Sequence, residues 1–265
     1  MRAQSFFSSD PSEDLALFTR PLPTPDCLSG AVCQGFEFSS RGDRVTGRLL
    51  RPTSDEGPLP LILLQHAAGT WRSASPLDTL TARWLESGAA VASVELPLHG
   101  ERASAKLSER LLGALGSDAA PAVSAPAELD PIARLLRIEF TRQAVADLQR
   151  GLDAVARIST LDSRRVAFAG FGVGATVGTL FSALDPRPAA VVLAPPADRA
   201  APTEVAPARY VGEIAPRPLL VLDTGGTPET GAKALFDAAG EPRTLESGDA
   251  ANSEALLRFL STHLA

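Results

Sequence analysis

The stretch Arg165 to Gly178, RVAFAGFGVGATVG, constrains the fold of this chain more than any other. Val166 to Ala169 reads as a short buried strand. Gly170, Gly172 and Gly174 then alternate with Phe171 and Val173 in a turn, and small residues open a helix. A strand, a tight turn and a helix in that order belong to a parallel sheet. They place residue 172 at the tip of the turn, above the C-terminal edge of the strands, where such sheets bind ligands. Position 172 carries no side chain.

The rest of the chain supplies partners for such a strand. Leu59 to Gln65, LPLILLQ, is a continuous apolar run after Gly57-Pro58, as expected of a strand covered on both faces. Ser75-Pro76 predicts an N-cap and first-turn proline for a helix carrying Leu77, Leu80, Trp84 and Leu85 on one side, closed by Gly88. A second buried strand, Ala89 to Leu96, runs into Pro97-Leu98-His99-Gly100-Glu101-Arg102. The spacing Phe140, Ala144, Leu148, Leu152, Val155 predicts an amphipathic helix leading back to Arg165.

Beyond the glycine turn the pattern continues as a helix ending at Asp185-Pro186, strands at Ala189 to Ala194 and Pro218 to Asp223, and a helix over Thr230 to Ala239. A short strand near Pro242 to Glu246 and a last helix from Glu254 to Leu264 complete it. Strands alternating with helices predict an α/β fold, a mostly parallel central sheet flanked by helices. Upstream, Phe36 and Phe38, the turn Arg41-Gly42-Asp43, and Val45, Gly47 and Leu49 predict a hairpin, so Arg-Gly-Asp here is turn chemistry and not an adhesion motif. Residues 1–35 are expected to form an N-terminal extension around the outside, with one short helix at Glu13 to Phe18. Residues 36–265 are expected to be the domain proper, with a lid-like helical insertion at 103–131 over the C-terminal edge of the sheet.

Composition removes several classes of function. The 265 residues are 45% apolar, enough for one large core, and the net charge of −6 argues against a nucleic-acid partner. Cys27 and Cys33 are too few for a disulfide framework and lack the neighbours of a zinc site, so no metal is expected. Asp10, Glu13 and Asp14 interrupt any apolar leader, and no run approaches the roughly 20 apolar residues of a membrane helix. A cytoplasmic protein without a membrane partner is expected.

The landmarks in this order resemble the α/β-hydrolase family, most closely its dienelactone-hydrolase-like and small esterase branches. QHAAGT after the first buried strand is similar to the family's oxyanion loop, VELPLHGER to its D-x-P-x-H-G-x-R stretch, and GFGVG to its G-x-S-x-G elbow. PLLVLDTGGTP resembles the strand and loop that carry the acid, and LESGDAANSE the loop that carries the histidine. The resemblance implies an α/β-hydrolase fold and places the nucleophile at Gly172, the acid at Thr227 and the base at Ala251 or its neighbour Ala250. None of these can perform its role in a Ser-His-Asp triad, whose nucleophile or base is worth about a millionfold in turnover. Asp223 or Asp198 could stand in for the acid, but an acid needs a base to orient. Of the three histidines, His66 belongs to the oxyanion-loop motif, His99 to the PLHGER motif, and His263 to the end of the last helix.

Several expectations follow from the resemblance. Backbone N–H groups of Ala67 or Ala68 and of Val173 would line an oxyanion hole, with His66, His99 and Phe171 around it. His66 and His99 read either as ligand contacts or as groups that hold their loops. The leading functional expectation is a hydrolase-like pseudoenzyme, without cofactor, that binds a small molecule or a protein partner, with a homodimer left open. Two alternatives stand beside it. One is an active carboxylic-ester hydrolase with unorthodox catalytic residues. The other is a dinucleotide-binding protein, because Gly170, Gly172 and Ala175 also fit G-x-G-x-x-[GA], a weak pattern in any glycine-rich turn.

Overall fold

The computed structural model describes residues 6–7, 12–28, 30–53, 57–66, 76–115, 130–158, 161–195, 201–225, 231–248 and 254–264. Among these residues one sheet of nine strands runs through the whole chain, in the order β1-β2-β3-β5-β4-β6-β7-β8-β9. The strands are β1 (Phe18–Leu22), β2 (Ala31–Ser40), β3 (Asp43–Pro52), β4 (Leu59–Gln65), β5 (Ala90–Val94), β6 (Leu161–Phe171), β7 (Ala190–Ala194), β8 (Leu219–Asp223) and β9 (Arg243–Ser247). The pairs among β1, β2, β3 and β5 are antiparallel, and every pair from β5 through β4 and β6 to β9 is parallel. The helices are α1 (Pro76–Glu86), α2 (Ala105–Leu115), α3 (Pro131–Ile158), α4 (Val173–Leu184), α5 (Ala232–Ala238) and α6 (Glu254–Leu264).

Alternation along the buried strands divides the core. Leu61, Leu63 and Phe168 point to the face covered by α3 and α4, where Leu148, Leu152, Val177 and Phe181 meet them. Ile62, Leu64, Ala167 and Ala169 point to the face of α1 and α6, against Trp84, Leu256 and Leu260. Both faces of the central parallel strands, β4 among them, are therefore dry, which is why LPLILLQ carries no polar alternation. After β4 the chain moves to β5 on one side, then returns past β4 to β6 and proceeds outward to β9. That reversal opens a crevice at the C-terminal ends of β4 and β6, where Gln65 lies opposite Gly170.

The expected hairpin forms as β2 and β3 with Ser40 paired to Asp43, and Arg41 and Gly42 take φ of 51° and 81° as a two-residue turn of type I′ requires. Three expectations need correction. Glu13 to Phe18 is not helical. Glu13 instead accepts hydrogen bonds at 2.9 and 3.0 Å from the Arg41 and Gly42 amides at the hairpin tip, and Asp14 accepts the Ala16 amide at 3.1 Å. Such local side-chain acceptors compete with helix formation. Residues 18–35 do not wrap the outside, because β1 and the start of β2 join the sheet as its edge. The helix expected from Phe140 begins at Pro131, since the Asp130 carboxylate caps the amides of Ile132 and Ala133 at 2.9 and 3.0 Å and proline occupies the first helical position. Of the 103–131 insertion, α2 is seen, packed through Leu111 and Ala114, and residues 116–129 lie outside the described set. Short 3₁₀ segments between β7 and β8 were not anticipated. No helix among the described residues is long and apolar enough to cross a membrane.

At the turn the backbone of α4 comes close to that of β4. A methyl on Gly174 would lie 2.4 Å from the Gln65 carbonyl oxygen and 2.6 Å from that of His66. By contrast, nothing lies within 4 Å of a methyl placed on Gly113 in α2. Gly174→Ala is expected to destabilise the protein by about 3 kcal/mol through overpacking. Gly113→Ala should be neutral or stabilising by up to about 1 kcal/mol through helix propensity. Thermal or urea denaturation of the two variants separates these outcomes.

Candidate functional site

Three neighbouring strand ends converge on the crevice. β4 delivers Gln65 and His66, β6 delivers Phe171 and Gly172, and β5, through Glu95 to Leu98, delivers His99. Gly172 sits between β6 and α4 with φ 56° and ψ −127°. Its N–H donates to the Ala194 carbonyl of β7 at 2.9 Å, and its carbonyl accepts the amides of Ala175 at 2.9 Å and Thr176 at 3.3 Å. The turn is therefore held from both sides at a backbone conformation that costs a residue with a side chain about 1–3 kcal/mol. A serine at this position would carry that cost as the strained elbow of a nucleophile. Glycine adopts it freely.

Val173 is the first residue of α4, so its N–H has no acceptor within the helix and lies at the helix's positive end. It is suited to a carbonyl oxygen or an anion. Gly170 is as confined as Gly174, since a methyl there would meet the Gly174 carbonyl oxygen at 2.7 Å and Ala175 Cα at 2.9 Å. The outer glycines of GFGVG are thus demanded by packing, and the central one by backbone conformation.

Of the residues expected around the site, His66, Phe171, Gly172 and Val173 are brought together at the ends of β4 and β6. Phe171 is buried in the core cluster shared with α1 and α6. His99 lies across β4 on the β5 side. Ala67, Ala68, Asp198, Thr227, Ala250 and Ala251 lie outside the described residues. Asp223 ends β8, and its carboxylate accepts the Gly225 amide at 3.0 Å. His263 stacks edge-on against Phe259 of its own helix, with ring centres 4.7 Å apart.

His99 is held by an elaborate loop. Its Nδ1 is 2.8 Å from the Pro97 carbonyl oxygen, which fixes the N–H there and leaves Nε2 as the acceptor. Nε2 is buried without a hydrogen-bond partner, and the ring packs 6.0 Å from that of Phe140. Leu98 takes φ 60°, an uncommon conformation for a residue of its bulk, and its carbonyl accepts the Ser108 hydroxyl of α2 at 2.6 Å. Glu95, fully buried, accepts Thr46 Oγ1 at 2.9 Å and the Glu101 amide at 3.1 Å. Arg102 donates to the Glu95 carbonyl at 3.0 Å and pairs with Asp147 of α3 at 2.6 Å and with Asp43 at 3.1 Å. Burial pushes the Asp147 carboxyl above the usual carboxylate range, and Arg102 and Gln143 oppose that shift without cancelling it.

Two polar groups here were missed by sequence reasoning. Gln65 ends an apolar strand and is fully buried with both amide atoms lacking hydrogen-bond partners. Its only signal was a polar residue closing an apolar run. Asp147 offered none, because its partner lies 45 residues away.

With the geometry in view, similarity to solved structures can be weighed. An acetyl xylan esterase from Paenibacillus sp. R4 superposes with a TM-score of 0.72 at 16% identity, over 99% of this chain and 92% of that one. Acetyl xylan esterase 1 from Thermoanaerobacterium sp. JW/SL YS485 gives 0.68 at 15% identity, over 100% and 92%. A Klebsiella pneumoniae chain assigned as a dienelactone hydrolase gives 0.59 at 16% identity, over 93% and 99%. The fold is that of the α/β-hydrolases. Likeness at this identity speaks for the α/β-hydrolase backbone and leaves the chemistry to the residues. No family model matches the sequence, and no curated protein matches it.

In this α/β-hydrolase scaffold the His99 loop depends on Arg102. Arg102→Met leaves Asp147 buried without its counter-charge and is expected to cost about 3–5 kcal/mol. A carboxyl whose folded pKa is raised loses stability as pH climbs from its unfolded value through its folded one. The deficit of Arg102→Met should therefore be larger at pH 8 than at pH 5, as measured by urea denaturation at both.

Proposed function

We propose that this protein binds a small acyl or carbonyl compound in the crevice above Gly172 and does not hydrolyse it by the serine mechanism. The observation that carries this reading is the residue at the elbow. The turn holds position 172 at φ 56° beside the free N–H end of α4, the arrangement that would present a nucleophile to a carbonyl, and no side chain is there to attack. The Val173 N–H would donate to the ligand's oxygen at the helix's positive end, with an Ala67 or Ala68 amide as the second donor. Thr227 and Ala251 take the acid and base positions on the family correspondence, so restoring serine alone would leave it unactivated.

A second reading, an ester hydrolase that uses other groups, is what the structural similarities favour, since the superposed proteins are named as esterases. The two readings part at turnover. On the first, purified protein turns over p-nitrophenyl acetate no faster than a heat-denatured control and is not labelled by a fluorophosphonate. Clear saturable turnover overturns it in favour of the second. The correspondence itself is tested by building Gly172→Ser, Thr227→Asp and Ala251→His together. Weak but measurable esterase activity is expected, on the order of a thousandfold below a native triad enzyme, given how sensitive such sites are to misplacement. A well-folded triple variant with no gain and no fluorophosphonate labelling means that the three positions do not meet.

A further inference from the structure

The first described residues, Phe6 and Phe7, are pressed against parts of the chain far from them in sequence. Phe7 is 2% exposed and belongs to the core cluster on the α3 and α4 face. Its ring meets that of Tyr210 edge-on at 5.8 Å and that of Phe6 at 5.0 Å. Arg142 of α3 holds Phe6 twice, by a bond of 2.8 Å from Nε to the Phe6 carbonyl oxygen and by its guanidinium, 4.6 Å from the centre of the Phe6 ring. Two residues thus join α3 to the chain between β7 and β8, which runs through the short 3₁₀ turns Thr203–Val205, Pro207–Arg209 and Val211–Ile214.

Those two elements stand on opposite sides of the crevice. α3 packs on β2, β3 and β5, and its Phe140 lies against His99. The 3₁₀ turns pack on α4 and α5, and they follow β7, whose Ala194 carbonyl holds the Gly172 N–H. A second tie spans the two, an ion pair of Arg134 with Glu204 at 2.5 and 2.7 Å whose side chains are 43% and 41% exposed. Tyr210 donates to the Glu204 carbonyl oxygen at 2.6 Å, so the ring contact and the ion pair act on the same segment. An exposed ion pair contributes little. Burial of a whole phenyl ring contributes more, which makes Phe7 the stronger tie. A short arm held by one ring and one guanidinium is the kind of unit that opens locally while the rest of a protein stays folded.

We propose that the Phe6–Phe7 arm is a strap that draws the 203–214 turns against α3 and so sets the width of the crevice above Gly172, its release being the step that regulates the site. The inference rests on the crevice being a binding site, as proposed above. With the Phe7 ring seated, α3 and the turns are held together across the site. With it withdrawn, Tyr210 loses its packing and the exposed Arg134–Glu204 pair is left to hold them.

Hydrogen exchange of the full chain, read by mass spectrometry, compares Phe7→Ala with the unsubstituted protein. Exchange in residues 203–214 is expected to be faster by about tenfold, with β4 and β6 unchanged. Leu260→Ala, a comparable loss from the opposite face of the sheet, should not give that pattern. Arg142→Gln removes both contacts to Phe6 and leaves Phe7 in the chain, so it repeats the test should Phe7→Ala fold poorly, and it is expected to shift the same residues in the same direction. Exchange at 203–214 that the substitutions leave unchanged, or that rises equally throughout the chain, overturns the proposal. The effect on the site is read by equilibrium dialysis of 4-nitroacetanilide, an acyl compound with a stable carbonyl and a strong absorbance. Phe7→Ala is expected to weaken its binding about fivefold, since a displaced wall gives the ligand fewer contacts. Equal affinity for the two proteins overturns the regulatory role. Absence of binding to either overturns the reading of the crevice on which that role rests, and the exchange pattern still decides whether the strap exists.

Discussion

The first turn of α4 is pressed beneath the last carbonyls of β4, and the functional end of the molecule depends on that contact. Gly174 has room for no side chain against Gln65 and His66, and Gly170 has none against Gly174 and Ala175. The helix and strand come this close across the positive-φ apex at Gly172, and Val173, as the first helical residue, has an N–H without an acceptor inside the helix. Because β4 and β6 are the two strands between which chain direction along the sheet reverses, the same contact also fixes where the sheet leaves a gap. Packing, backbone geometry and site position are three consequences of one close approach.

A second support stands on the other side of β4. The loop from Glu95 to Arg102 is tied to the hairpin by Thr46 and Asp43, to α2 by Ser108 and to α3 by Asp147. Withdrawing Arg102 and Asp147 from water is expensive, and such pairs are weak sources of stability. Their use here keeps His99 in a single orientation with Leu98 in an unfavourable conformation. Strain maintained by its surroundings is the common mark of a loop whose shape matters to function.

The tension between scaffold and chemistry follows from these two supports. An elbow built to present a side chain is intact in its backbone, and the fold matches proteins named as esterases along nearly their full length. Backbone likeness reports how strands and helices pack, which depends on Gly170, Gly174 and the apolar runs. Nucleophilic attack depends on one atom at position 172, and packing neither requires nor supplies it. The elbow meets the first set of constraints, and position 172 carries no side chain to meet the second.

Much of the architecture was legible in the residues themselves. The apolar runs of β4 to β8, the hairpin turn at Arg41-Gly42, the elbow glycines and the final helix are local patterns, set by steric limits and periodicity over a few residues. The start of α3 at Pro131 was not, because the apolar spacing that marks the helix begins only at Phe140 and the Asp130 cap lies in a stretch without a clear period. The loop in place of a helix over Glu13 to Phe18 was not, because Glu13 found its partners at residues 41 and 42, far along the chain. The same holds for Asp147 with Arg102 and for the isolation of Gln65. By itself, the sequence determined the layers, the turn and the empty elbow, since those rest on short-range sterics and hydrophobic period. Only the tertiary structure decided which charges are buried together and which donors go unpaired, because desolvation and pairing are properties of neighbours that the chain brings together from a distance.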